Sequence, residues 1–190
     1  ANTCMIRNEH VVGSQNGQIP KDIAYDHDIV IEGGLWTMLG TSQTEWNGND
    51  RGNSSRTNGV HGCHGVILLN HVDGVVVRNV TVRQSRTFGV HLSDTRHFLV
   101  ETLCFDENGR DGVHVNGNSA YGVIRNVSGT TYDDFVALNA WEWMNYAPVY
   151  GAIHHVLIEE VTGTGGSAEL RLLPGTRTFA DGTKVFCEIS

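Results

Sequence analysis

The chain has 190 residues, 39% of them hydrophobic, and a formal net charge of −8 at neutral pH. This length predicts one domain that spans residues 1–190. The negative charge argues against a nucleic-acid partner, and the lack of an apolar run of roughly 18 residues argues against a membrane span.

The first forty residues contain two short runs of alternating apolar residues, at 3–7 and 28–36. We interpret them as imperfect copies of a repeat that becomes regular later in the chain. Residues 40–64 are polar and rich in Gly, Asn and Ser, and they predict a long loop that leaves the repeat. Loops of this length inside a compact domain are usually functional or disordered.

The sequence that follows repeats with a period of 23 residues. Four segments align at this offset, and each alternates apolar and polar side chains. They are 65–70, 88–93, 111–116 and 134–139. Alternation of period two predicts short strands with one buried face. A second strand series runs through segments 77–82, 100–105 and 124–128 at offsets of 23 and 24 residues, with a later member at 158–162 after an offset of 34.

A unit of two or three short strands cannot bury its apolar face alone, but it can when successive units stack. The sequence therefore predicts an all-β fold, a right-handed parallel β-helix with one coil per repeat. Ile67, Val90, Val113 and Val136 form the predicted inward column, and their β-branched side chains suit a stacked parallel core. Equivalent residues on neighbouring coils should stand ~4.8 Å apart.

The period breaks at residues 140–150, an insertion rich in aromatic residues, and strand patterning resumes at 153–161 and 168–173. Neither end of the chain shows the amphipathic helix that closes many β-helices, although repeat stacks need polar caps. We therefore expect the chain to be part of a longer protein, or its ends to pair with another chain.

Three aspartates are the candidate catalytic residues. Asp111 and Asp134 occupy the same column on adjacent repeats, and Asp133 directly precedes Asp134. Stacked carboxylates repel each other, so one pKa should rise and the group should titrate as a unit. Hydrolysis of a glycosidic bond uses a protonated carboxyl for the leaving oxygen and an ionised one for water or the sugar. The alternative is that each acid is a turn residue.

Polar side chains in neighbouring columns are candidates for substrate binding. His91 and His114 stack on the predicted outward face. His114 could orient a carboxylate or bind a sugar hydroxyl, and the alternative is an exposed wall histidine. Asn116 and Asn139 stack two positions further on, where they could bind substrate or form a structural amide ladder.

Aromatic and basic residues beside the acids complete the candidate binding set. Trp141 and Trp143 lie in the insertion, and aromatic faces are natural platforms for sugar rings. Their alternative role is to pack the insertion onto the strands. Arg110 and Arg171 could bind an anionic sugar through charge-assisted hydrogen bonds, or they could balance the charge of the acids.

Two motifs carry a resemblance to a known family. Residues 108–112, Asn-Gly-Arg-Asp-Gly, are followed one repeat later by residues 133–138, Asp-Asp-Phe-Val-Ala-Leu. Together they resemble the paired motifs of glycoside hydrolase family 28, the polygalacturonase-like enzymes, and the resemblance covers about residues 65–175. It implies a right-handed parallel β-helix of the pectin-lyase type and inverting hydrolysis. It implies that Asp133 is the general acid and that Asp111 and Asp134 hold the attacking water.

The chain departs from this family at several points. Arg110 stands where the family has Thr, Tyr132 stands where it has Gly, and the family's Gly-His-Gly and Arg-x-Lys motifs are not evident. Galacturonan is therefore one candidate substrate, and a neutral or differently decorated glycan is another. The predicted function is hydrolysis of a polysaccharide without a cofactor, by a secreted, extracellular or periplasmic enzyme.

Two other functions stay open on the same fold. A polysaccharide lyase or epimerase usually needs Ca²⁺, which the stacked acids could bind, and a base that removes the C5 proton. However, no Lys falls in the outward column. A non-catalytic glycan-binding segment of an adhesin or tailspike would use the scaffold alone. The four cysteines are scattered without a C-x-x-C pair, so we expect no zinc site.

Overall fold

The computed structural model describes residues 4–9, 23–37, 65–142 and 147–190. All helical or strand structure in these residues is β-strand, which confirms the all-β prediction for this part of the chain. No helix within these ranges is long and apolar enough to cross a membrane. The strands described are β1 (Cys4–Arg7), β2 (Asp26–Glu32), β3 (Leu35–Thr37), β4 (Gly65–Arg83), β5 (Val90–Asn108), β6 (Val113–Asn116), β7 (Ser119–Thr131), β8 (Val136–Asn139), β9 (Ile153–Thr164), β10 (Leu170–Leu172), β11 (Gly175–Thr178) and β12 (Lys184–Cys187).

Ten of these strands form one large parallel sheet. Its main path of hydrogen-bonded neighbours is β1-β4-β5-β6-β8-β10. Strands β2 and β3 also pair with β4, and β7 pairs with both β5 and β9. Strands β11 and β12 form a separate antiparallel pair. A parallel sheet in which the long strands β4 and β5 each carry several partners is consistent with a solenoid.

The strand register follows the sequence repeat. Ile67 pairs with Val90, Val90 with Val113, and Val113 with Val136. The second series is paired in the same way, in the order Val77, Val100, Ile124 and Ile158. The aligned repeats predicted both sets of partners. This register is required, because a shift of one residue would turn every apolar side chain to the wrong face.

The core is a set of stacked apolar columns. Ile67, Val90, Val113 and Val136 are all 0% exposed. Full burial of a Val or Ile side chain stabilises the fold by about 1.5–3 kcal/mol relative to leaving it in water. Three large rings fill the space between the columns, and these are Phe98, Phe105 and Phe135.

The prediction that the short strands bury only one face is wrong. All four residues of β6 and all four of β8 are buried. The side chains expected on an outward face, His91, His114, Asn116 and Asn139, are at most 2% exposed. The reason at His114 and Asn139 is that Glu142 of the predicted insertion contacts both side chains, and the Phe88 ring stacks on His114. The predicted loop at 40–64 lies outside the described residues.

A buried carboxylate anchors the start of the second described stretch to the sheet. Asp94 Oδ1 accepts hydrogen bonds from the Tyr25 hydroxyl at 2.7 Å and from Asn118 Nδ2 at 2.5 Å. His71 Nδ1 contacts the other oxygen, and its Nε2 contacts the carbonyl oxygen of Ile23. Both carboxylate oxygens therefore have partners, and the cluster ties residues 23–25 to β4 and β5.

Candidate active site

The turn before β6 holds Asp111 in one place. Asn108 Nδ2 donates hydrogen bonds to the carbonyl oxygens of Arg110 at 2.9 Å and Asp111 at 2.8 Å. A Cβ added to Gly112 would lie 2.6 Å from the carbonyl oxygen of Phe135, so only glycine fits there. The close packing of this turn on the next rung fixes where the Asp111 side chain begins.

The next rung supplies the other two acids. The backbone N–H of Gly112 donates to the carbonyl oxygen of Asp134 at 3.0 Å. In return, the backbone N–H of Asp134 donates to Asp111 Oδ1 at 3.3 Å. Asp111, Asp133 and Asp134 each offer one carboxylate oxygen, and these oxygens lie within 4.8 Å of one another. The structure therefore brings together the three acids that the repeat placed in register, while their catalytic roles stay a prediction.

The three acids differ in their access to solvent. Asp111 is 3% exposed and Asp134 is 2% exposed, whereas the Asp133 side chain is 16% exposed. Burial raises the pKa of Asp111 to about 7, and the negative charge of Asp133 reinforces this rise. Burial also raises the pKa of Asp134, although its hydrogen bond from Arg171 opposes that shift. Asp111 can therefore change its charge near neutral pH.

Two arginines bind the acids directly. Arg110 Nη1 lies 2.8 Å from Asp133 Oδ2, and Arg171 Nη1 lies 3.0 Å from Asp134 Oδ2. The Ser167 hydroxyl donates a further hydrogen bond of 2.9 Å to Asp133 Oδ1. These contacts match the charge-balancing role considered for both arginines. Their binding to a sugar stays a prediction.

The candidate histidines and asparagines lie inside the protein, beside the acids. His114 Nδ1 is 2.5 Å from Asp111 Oδ2. His91 Nε2 is 2.7 Å from Asn116 Oδ1, and Asn116 Nδ2 donates to the carbonyl oxygen of Asn139 at 3.1 Å. The Asn116 side chain therefore bonds to His91 and to the backbone of Asn139, rather than to the Asn139 side-chain amide as in the predicted ladder. Burial lowers the pKa of His114 to about 4, so its ring is neutral at physiological pH.

One buried carboxylate at the site was missed in the sequence. Glu142 is 5% exposed, and its Oε1 accepts a hydrogen bond of 2.6 Å from Asn139 Nδ2. The same oxygen lies 3.5 Å from His114 Nε2. Glu142 follows the break in the 23-residue period, so no column of the repeat pointed to it. Its position as the single charged residue of an aromatic insertion was the available signal.

Of the two candidate tryptophans, the structure describes only Trp141. Trp141 is partly buried and packs against the core. A Cβ added to Gly175 would lie 2.6 Å from Trp141 Cγ, so the ring lies directly beneath the first residue of β11. This contact fits the packing role considered for Trp141. Trp143 lies outside the described residues.

No family model matches the chain, and no curated protein or solved structure matches it significantly. The resemblance to glycoside hydrolase family 28 thus rests on the motifs at 108–112 and 133–138. The two residues that depart from those motifs lie at the site. Arg110 pairs with Asp133, and Tyr132 is 63% exposed beside it.

Proposed function

We propose that the chain is a glycoside hydrolase that cleaves a polysaccharide with Asp111, Asp133 and Asp134. The observation that carries this proposal is the approach of three carboxylates to within 4.8 Å, with the pKa of Asp111 raised to about 7. Acid–base hydrolysis of a glycosidic bond needs one carboxyl that is protonated and one that is ionised at the same pH. A general base works best with a pKa near the working pH, so a pKa of about 7 suits Asp111 to take the proton of the attacking water.

The proposed scaffold is a right-handed parallel β-helix with one coil per 23-residue repeat. Parallel pairing of residues 23 apart along β4, β5, β6 and β8 supports the coil length. Right-handedness follows from the general rule that connections between parallel strands of one sheet turn that way in about 98% of cases.

The roles of the acids follow from their access and their partners. Asp133 is the most exposed of the three, so it is the group that can reach a glycosidic oxygen as general acid. Its carboxylate is held in an ion pair by Arg110, so this role requires Arg110 to leave Asp133 when substrate binds. Asp111 and Asp134 are buried one rung apart, and together they would hold the attacking water.

The charge balance favours hydrolysis over a calcium-dependent lyase. Ca²⁺ is bound by several oxygen ligands, most of them anionic or carbonyl oxygens free to face the ion. Arg110 and Arg171 each hold a carboxylate oxygen of this cluster at 3.0 Å or less. The positive charge of the two arginines in these ion pairs supports the hydrolase proposal over a calcium-dependent lyase. The two positively charged guanidinium groups would also attract an anionic sugar to the site.

The stereochemistry is a separate part of the proposal. The resemblance implies inversion at the anomeric carbon, yet most inverting enzymes hold their two carboxyl groups about 6.5–9.5 Å apart. The closest oxygens here are within 4.8 Å. Inversion in this site would need the water to sit beside the carboxylate cluster rather than between two widely separated groups.

The test is activity on a panel of polysaccharides, assayed for new reducing ends and for the ultraviolet absorbance of unsaturated products. We expect reducing ends without unsaturation. Asp111→Asn and Asp134→Asn should each reduce the rate by on the order of 10²–10⁴-fold, because each removes a proton-handling group. Asp106→Asn, an exposed acid paired with Arg83, is the matched control. Unsaturated products would identify a lyase, and binding without cleavage would leave only a glycan-binding role.

A further inference from the structure

The pair of Asp111 and His114 has a third member. The imidazole Nδ1 of His114 lies 2.5 Å from Asp111 Oδ2, and both side chains are almost fully buried. On the other edge of the ring, Nε2 lies 3.5 Å from Glu142 Oε1. The ring thus stands between two buried carboxyl groups, and each of its nitrogens faces one of them.

The environment fixes the ring in this position. Phe88 stacks on the His114 ring with centroids 3.9 Å apart and planes 8° from parallel, and His91 meets it edge-on at 5.0 Å. Asn139 Nδ2 holds Glu142 Oε1 at 2.6 Å. The other charged groups whose fields act on the ring are Arg110, Asp133 and Arg171.

One atom of this arrangement is unexplained by the fold. His114 Nε2 is buried and has no hydrogen-bond partner among the residues that the structure describes. A buried polar nitrogen without a partner is costly, so it calls for an explanation, and a role in proton transfer is one. A shift of a few tenths of an ångström would join it to Glu142 Oε1 in a normal hydrogen bond.

We propose that Asp111, His114 and Glu142 form a proton relay, in which one proton is shared between the two carboxyl groups through the imidazole. In one state Asp111 is protonated and donates to Nδ1, while Nε2–H donates to the Glu142 carboxylate. In the other state Nδ1 has taken the Asp111 proton, and Glu142 Oε1 has taken the proton from Nε2. No proton is gained or lost, the ring stays neutral, and only its tautomer changes.

The relay rests on the proposed function, because it gives Asp111 a way to become an ionised base. In the second state the shared proton lies on Glu142, so Asp111 is ionised and can accept a proton from the attacking water. The relay thus ionises Asp111 without exposing its buried carboxyl to solvent. His114 and Glu142 are positioning residues in this scheme, since they act on the reaction through Asp111.

The test is the tautomer of His114, read from its two ring-nitrogen resonances by NMR in the full chain labelled with nitrogen-15. An unprotonated imidazole nitrogen resonates far from a protonated one, so the two tautomers are distinguished directly. The signals are assigned by their loss in His114→Gln. The relay predicts intermediate shifts for both nitrogens that stay constant below the Asp111 pKa of about 7, where the two carboxyl groups share one proton through the ring.

Glu142→Gln separates the relay from a purely structural role. The amide oxygen can still accept the hydrogen bond from Asn139, but it cannot take a proton. In this variant His114 should be in the Nε2–H form at low pH and should switch to the Nδ1–H form as Asp111 ionises. Glu107→Gln, the same change at an exposed site, should leave the wild-type pattern intact.

Two results would overturn the relay. One is a single fixed tautomer in the wild type. The other is a wild-type tautomer switch with pH that Glu142→Gln leaves unchanged. The measurement needs no substrate, so it is independent of the hydrolase proposal. Constant intermediate shifts without cleavage of any polysaccharide would support the relay and count against the hydrolase, and a fixed tautomer in an active hydrolase would do the reverse.

Discussion

Replacement of Asp111 by asparagine should reduce activity by on the order of 10²–10⁴-fold and yet stabilise the protein at alkaline pH. Burial raises the pKa of Asp111 from 3.8 to about 7. Between these values the folded state holds a proton that the unfolded state has released, so stability falls as pH rises. The two values differ by about 3 pH units, which at about 1.4 kcal/mol per unit corresponds to on the order of 4 kcal/mol.

Asp111→Asn keeps the size of the side chain and cannot ionise. The free energy of unfolding of the variant should therefore exceed that of the wild type at pH 8 by up to about 4 kcal/mol, less what the changed contacts with His114 cost. At about pH 3 the two proteins should be nearly equally stable or the variant slightly weaker, because Asp111 is then mostly neutral in both states.

The assay is urea unfolding of both proteins at several pH values, because the effects of groups common to both largely cancel in the difference. Asp106→Asn is the control for losing a carboxylate as such. Because Asp106 is far more exposed, this variant should not show the same pH-dependent gain in stability. A difference between wild type and Asp111→Asn that stays constant from about pH 4 to about pH 8 would refute the raised pKa and the burial that causes it.

Three further predictions follow from the packing and the charges. Val113→Ala should lower the free energy of unfolding by on the order of 2–3 kcal/mol in urea, because Val113 is fully buried in the inward column. Arg171→Gln should move the acid limb of kcat/KM to higher pH, because Arg171 holds down the pKa of Asp134; an unmoved limb, as expected for Arg83→Gln, would contradict this. Proton NMR of the first product should show the inverted anomer, and a retained anomer would overturn the inverting mechanism.

The strand register could be predicted from the sequence because two simple regularities coincide. Alternation along a strand chooses the buried face, and the 23-residue offset chooses the partner. Val113 therefore had to pair with Val136, and the same register carried Asp111 to the rung below Asp134. The meeting of the acids needed no information beyond the repeat.

The burial of the polar face could not be predicted in this way. His114 and Asn139 alternate with apolar residues, and alternation alone indicates a solvent-facing side. What contacts His114 and Asn139 on that side is Glu142, which belongs to no repeat. The insertion is not part of the repeat, so the repeat register does not predict which residues it contacts. Its position depends on packing that is specific to this chain. Glu142 was missed for the same reason.

The roles of the arginines could not be predicted from the sequence either. Arg110 and Arg171 were expected either to bind sugar or to balance the acids, and the sequence could not rank these roles. Ion-pair geometry decides which carboxylate each guanidinium meets, and it places Arg110 on Asp133 and Arg171 on Asp134. Whether either arginine leaves its acid for a substrate is a property of the complex.

The most direct measurement of the central proposal is cleavage of a polysaccharide in water enriched in oxygen-18, with mass spectrometry of the products. Attack by a water held at Asp111 and Asp134 predicts one oxygen-18 atom at each new reducing end, and loss of the product in Asp134→Asn. Products without the label, or no products from any polysaccharide of the panel, would contradict hydrolysis by this carboxylate cluster.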